Sequence, residues 1–250
     1  MAGKLTVLSL CSILATLAIL CLSSEAGAVV YQVTNTAPAT PGGARFDKEI
    51  GTAYSIRTLQ SAAEFIWQTF QQNTPADRKS VERVSLIVDD MEGIAYTVGN
   101  EIHLSARFVA GYSGNLRDIA GVLYHEAAHI WQWNGNGQAP GGLIEGIADY
   151  VRLKAGLMPS HWVKPGGGDR WDQGYDVTAR FLDYLESLEN GFVAELNDIM
   201  RTGYSDDFFM QLLGKTVDQL WAEYKAQYPT KKALLFWTKF TLSSLPEFQS

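Results

Sequence analysis

An α+β domain, strands first and helices after, is what the order of residue patterns predicts. Two observations carry that expectation. β-branched and aromatic stretches with period-two alternation cluster before residue 106, and apolar residues at three- and four-residue spacing dominate from Asn115 onward. A third supports one domain of 250 residues: no internal repeat and no linker interrupts the chain. Hydrophobic residues at 46% and charged residues at 19% allow a sizeable core, so disordered and repeat-array classes are excluded.

The first 28 residues stand apart. Lys4 precedes an almost uncharged apolar run from Leu5 to Leu22, followed by the polar break Ser23, Ser24, Glu25 and the small residues Ala26, Gly27 and Ala28. That is the pattern of a secretory signal peptide cleaved near Ala28. Both cysteines, Cys11 and Cys21, fall inside it, so a mature chain from Val29 has no disulfide and relies on its core and any bound ion. The expected organisation is a leader over 1–28, a domain over 29–229 and a mixed apolar and basic tail over 230–250.

Within the domain, residues 29–36 read as a strand and 37–46 as a Pro- and Gly-rich loop. Residues 52–72 carry Leu59, Ala62, Ala63, Ile66 and Phe70 at helical spacing, a long packed helix. Val84, Leu86 and Val88 alternate as a strand, and residues 93–105 offer two strands turning at Gly99 and Asn100. The sheet is therefore expected to be antiparallel or mixed. Helices follow over 115–133, 143–155, 176–189, 192–202 and 206–227, with 134–142 and 165–168 as flexible connections.

Charge narrows the partners. The net charge is −7, unchanged when Lys4 and Glu25 leave with the leader, and no basic run suits phosphate neutralisation, which argues against nucleic acid. No apolar stretch after the leader is long enough to span a bilayer.

The chemistry concentrates in "HEAAHIWQWNGNGQAPGGLIEGIADY", residues 125–150. On a helix capped by Asn115, Leu116, Ile119, Leu123, Ala127 and Ile130 form the core stripe, while His125 and His129 point nearly opposite, one turn apart, where both rings can supply ligands to one Zn²⁺. Glu126 sits beside them, able to act on water without ligating the ion. The plain alternative is a polar helix face bearing two ordinary histidines. A catalytic zinc needs a third protein ligand and an open position. On the next helix, Ile144, Ile147, Ala148 and Val151 define the buried side and Glu145, Asp149 and Arg152 the other, with the glycine-rich connection letting it fold back. Glu145 can take the metal while Asp149 accepts the N–H of a ligating imidazole, or Asp149 can be the ligand itself, or Asp149 and Arg152 can form a surface ion pair.

The run from His125 to Gly156, with "GYDVTARFLDYL" and "GKTVDQLWAEY" after it, resembles the plant basic secretory protein family, secreted pathogenesis-related proteins classed as zinc-dependent peptidases of the His-Glu-x-x-His type. The likeness covers most of residues 29–228. It implies an extracellular defence protein of the apoplast or cell wall, a zincin-like metallopeptidase fold and peptide or protein substrates. It also implies His125 and His129 as metal ligands and Glu126 as the catalytic acid/base, with the third ligand within Glu145 to Asp149. This chain departs in its pI of about 5.1 and in its tail after Pro229.

A peptidase of this kind also needs a donor for the tetrahedral oxyanion. Tyr175 is the first candidate and His161 the second, against a packing role for Tyr175 at its helix entry. "EIHLS", residues 101–105, is the expected edge strand for an extended peptide, with His103 a strand-face side chain rather than a ligand. Trp131 and Trp133 line the cleft or, more plainly, belong to the core. A non-catalytic defence protein that keeps a metal as a staple, or binds glycans, is the competing class.

Overall fold

The computed structural model describes residues 29–228. The leader expected over 1–28, with its cleavage site and both cysteines, lies outside the described residues, as does the tail over 230–250. Strand β1 (Val30–Asn35) leads into the short helix α1 (Pro41–Arg45), a π-helical turn (Phe46–Ile50) and the long helix α2 (Gly51–Thr69). Strands β2 (Arg83–Asp89), β3 (Ala95–Val98) and β4 (Glu101–Ser105) follow, then α3 (Ala106–Gly111), α4 (Leu116–Trp131), α5 (Gly141–Lys154), α6 (Tyr175–Leu188), α7 (Phe192–Ile199), α8 (Asp207–Leu213) and α9 (Val217–Gln227). The result is a mixed α+β architecture with a small sheet and many helices.

The strand order is β1-β2-β4-β3, with β1, β2 and β4 parallel and β3 antiparallel to β4. The sheet is thus mixed and mainly parallel, where residue patterns left it antiparallel or mixed. The reason is the crossover: α1 and α2 return the chain to the end where β1 began, so β2 runs alongside β1. Alternation reports only that one sheet face is buried, and both pairings produce it. On that face Val84, Leu86, Val88, Ile102 and Leu104 are buried against α2 (Leu59, Ala62, Ala63, Ile66) and α4 (Ile119, Leu123, Ala127).

Three further differences from the sequence expectations have local causes. The loop expected over 37–46 contains α1, because Thr40 accepts from Gly43 N and Pro41 supplies a preset φ at the first turn. The single helix expected over 206–227 is two, divided where Gly214 takes φ +70° and Thr216 opens α9 with a reciprocal capping box to Gln219. The connection at 165–168 is pinned: Gly166 N donates to Tyr224 Oη at 2.7 Å, and Lys225 Nζ donates to Gly166 O and Gly168 O at 2.5 and 2.6 Å.

Helix α5 is held against α6 by two glycines one turn apart. A Cβ at Gly142 would fall 1.8 Å from Asp172 O, and one at Gly146 would fall 2.2 Å from Thr178 Cγ2. Only a bare backbone allows that approach, which brings the start of α6, and with it Tyr175, beside Glu145. Gly146→Ala should therefore destabilise the fold by about 1–3 kcal/mol. Gly141→Ala, where an added Cβ meets nothing within 4 Å, should be neutral or slightly stabilising. Thermal denaturation of the two variants checks the contrast.

Candidate metal centre

Helix α4 begins at Asn115, whose side chain accepts from Arg117 N at 3.0 Å, and it runs through the middle of the fold. Its predicted stripe faces α2 and the sheet, with Ile119, Leu123, Ala127 and Ile130 buried and Leu116 half-buried at the entry. The opposite side, carrying His125, Glu126 and His129, is not open surface: His125 is 8% exposed and Glu126 5%. α5 and β3 cover it, and between them lies a cleft of about 1270 Å³.

On the cleft floor, His125 Nε2 lies 3.1 Å from His129 Nε2 and 3.1 Å from Glu145 Oε2, and His129 Nε2 lies 3.6 Å from the same oxygen. One atom from each of His125, His129 and Glu145 thus lies within 4.8 Å of the other two, a group that could hold a metal ion. The other nitrogen of His125, Nδ1, is 2.7 Å from Asp149 Oδ1. Glu145 and Asp149 therefore meet opposite edges of the same ring. Asp149 is 3% exposed and makes no ion pair with Arg152, whose Nε donates to Leu157 O at 3.2 Å. The two imidazoles meet edge to face, with centroids 4.8 Å apart.

Burial opposes charge on His125, but the hydrogen bonds to Asp149 and Glu145 outweigh that cost and lift its pKa to about 9. Glu145 shows the mirror effect. Burial favours its neutral form, yet the hydrogen bonds from His125 and His129 prevail and hold its pKa down at about 2.

Two further partners at the site were not picked out from the sequence. Thr97 of β3 donates from Oγ1 to Glu126 Oε2 at 2.7 Å and lies 3.1 Å from Glu126 O, so the edge of the sheet fixes the carboxylate. Gln132 follows the last residue of α4 in extended conformation, which swings its amide back toward the rings. Its Nε2 donates to His129 Nδ1 at 2.8 Å and to Ile144 O at 3.2 Å, while its Oε1 is buried without a partner. Turning that amide over would set the acceptor on Nδ1 and leave His129 Nε2 unprotonated, so its orientation decides the tautomer.

Tyr175 lies in the cleft wall, 57% exposed, its ring stacked at 11° and 6.0 Å from His125. It is not a core aromatic at a helix entry. Its φ of +47° is strained for a tyrosine and turns the side chain toward the histidines. The Glu145 carboxylate foremost, then burial, raises its pKa. His161 also lines the cleft.

One expectation changes. β4, residues 101–105, is internal, paired to β2 on one side and β3 on the other, so the edge strand beside α4 is β3. Hairpin order is not encoded in the alternation of either strand, and the later strand inserted next to β2. His103 is a strand-face residue, bound through Nδ1 to Asp89 at 2.5 Å and stacked on Tyr96. Of the tryptophans, Trp131 is core, edge-on to Trp67, and Trp133 is half-buried; the indole that lines the cleft is Trp162.

The sequence profile of a family described as "Peptidase of plants and bacteria" (BSP) matches residues 26–224, which include every residue of this centre. A "Basic secretory protease" of Boswellia serrata is 57% identical over 58 residues, covering 23% of this chain and 66% of that protein. No solved structure matches the chain. With four-fifths of its length matched to the profile, the chain belongs to the basic secretory protein family of peptidases.

Proposed function

We propose that this protein is a secreted zinc-dependent peptidase with a zincin-like site, in which His125, His129 and Glu145 hold the ion and Glu126 is the acid/base. The observation that carries the reading is the convergence of two Nε2 atoms and one carboxylate oxygen on the floor of a cleft walled by a sheet edge that is open among the described residues. The donor set fits zinc: two imidazoles and a carboxylate leave a position for substrate, and Asp149 on Nδ1 fixes the His125 tautomer that presents Nε2. Secretion follows from the leader pattern and agrees with the name of the Boswellia relative.

Zinc, when bound, supplies Lewis acidity to the scissile carbonyl and to water. The remaining work falls to the chain itself. β3 pairs on one side with β4, and among the described residues its other edge is open, so an extended peptide can add there by main-chain hydrogen bonds. Glu126, steadied by Thr97, takes a proton from the attacking water and returns it to the departing amine. Tyr175 donates to the oxyanion from the opposite wall. Burial of Trp131 against Trp67 removes it from any glycan surface, which weighs against the lectin-like alternative.

Glu126→Gln should lower cleavage of a mixed peptide library by about 10²–10⁴-fold while one zinc per chain is retained. Zinc without Glu126-dependent cleavage would leave only a structural metal, and protein that takes up no zinc would sink both readings. Asp149→Asn should weaken zinc binding by about 10–100-fold in a chelator competition. Tyr175→Phe should depress kcat by about 10²–10³-fold with little change in KM, the mark of an interaction made in the transition state. A change confined to KM would assign Tyr175 to substrate packing instead.

A further inference from the structure

Among the described residues two cations line the cleft, Lys79 and Arg152, and they differ in how they are satisfied. Arg152 has Leu157 O as acceptor and Trp162 beneath its guanidinium at 5.6 Å. Lys79 lies in the irregular segment before β2 and lines the cleft together with Gln132 and Asn134. Its Nζ lies 5.3 Å from the centroid of the Trp133 ring. Two neighbouring cations also rest on indoles, Arg201 on Trp133 at 5.1 Å and Arg78 on Trp67 at 3.9 Å. Each of those has an oxygen partner, Asp198 for Arg201 and Gln72 O for Arg78. Among the described residues Lys79 has no hydrogen-bond acceptor and no carboxylate within 4.0 Å.

An ammonium group has three donors, and those of Lys79 have no acceptor among the described residues, so an incoming carboxylate can take them. The indole face attracts the charge and supplies no acceptor. Burial alone pulls the Lys79 pKa down, as expected for a cation that nothing nearby compensates. The same cleft is lined by the carboxylates of Glu126, Glu145 and Asp149, none of them within 4.0 Å of the Lys79 ammonium, so Lys79 adds a position of opposite charge to it.

We infer that Lys79 is a specificity subsite for a carboxylate of the bound peptide, from an Asp or Glu side chain or from a free C-terminus. The inference rests on the peptidase reading for the identity of the ligand as a peptide. It is tested by binding rather than turnover, on the full mature chain carrying Glu126→Gln. The probes are fluorescent eight-residue peptides of three kinds: one Glu scanned through the positions with an amidated end, the same series with Gln, and the Gln peptide with a free carboxyl end.

Anisotropy should show the Glu peptide at one position, or the free-acid peptide, binding about tenfold tighter than the neutral amide. The two arms tell a side chain from a terminus. Lys79→Gln should abolish the preference, Lys79→Arg should keep it, and Lys79→Glu should transfer it to a peptide with Lys at the same position. A preference that survives Lys79→Gln, equal binding of all three probes, or no binding by any of them overturns the inference. If the unsubstituted protein cleaves peptides yet shows no such preference, this inference alone fails. If the preference depends on Lys79 but no cleavage occurs, the catalytic reading fails and the subsite stands.

Discussion

The hydrogen bond between His125 Nδ1 and Asp149 Oδ1, 2.7 Å long and almost wholly out of water, ties α4 to α5 at their centre. It orients one imidazole, gives a buried carboxylate its partner, and sets the register in which Glu145, one turn earlier on α5, meets the Nε2 edge of the same ring. A shift of one residue in α5 would rotate Glu145 by about 100° and leave two buried charged groups unpaired. The glycines of α5 serve that register from the other side. By letting the turn before α6 lie against the bare backbone at Gly142 and α6 itself against Gly146, they restrict sliding of α5 and carry Tyr175 to the cleft wall.

The same economy appears in how the sheet is used. β2 and β4, buried in the middle, supply the apolar floor for α2 and α4. β3 contributes little to the core and instead gives Thr97 to Glu126 and, among the described residues, one free edge to the cleft. An interior polar helix face is tolerable because its groups are matched: His125 with Asp149 and Glu145, His129 with Gln132, Glu126 with Thr97.

What could be read from the sequence follows from distance along the chain. His125, Glu126 and His129 share one turn and a half of one helix, so periodicity alone put them on one face. Glu145 and Asp149 could be placed on the same side of the next helix, yet which edge of the ring each meets depends on the crossing of α4 and α5, which no local pattern contains. Thr97 and Lys79 come from segments 29 and 46 residues before Glu126 and His125 and carry no motif of their own. The signal for Thr97 was available in kind, as a polar residue on the inward face of a strand otherwise apolar there, but it depended on recognising β3 as the edge. Gln132, three residues past His129 in the helix expected over 115–133, falls on the histidine face by the same periodicity, and what no pattern contains is that its amide reaches Nδ1 from an extended backbone past the helix end.

The open side of β3 has a colloidal consequence. Its residues Tyr96 and Val98, with Ile94 just before, are large, apolar and about half exposed, and none of the four strand residues is charged or proline. An edge fit to accept a peptide strand is equally fit to accept the same strand of another molecule. The net charge of −7 keeps copies apart at low ionic strength, and salt screens that repulsion within about 8–10 Å. Charge repulsion between copies therefore stands against edge-to-edge pairing at the strand that gives the cleft its wall, and added salt weakens that repulsion.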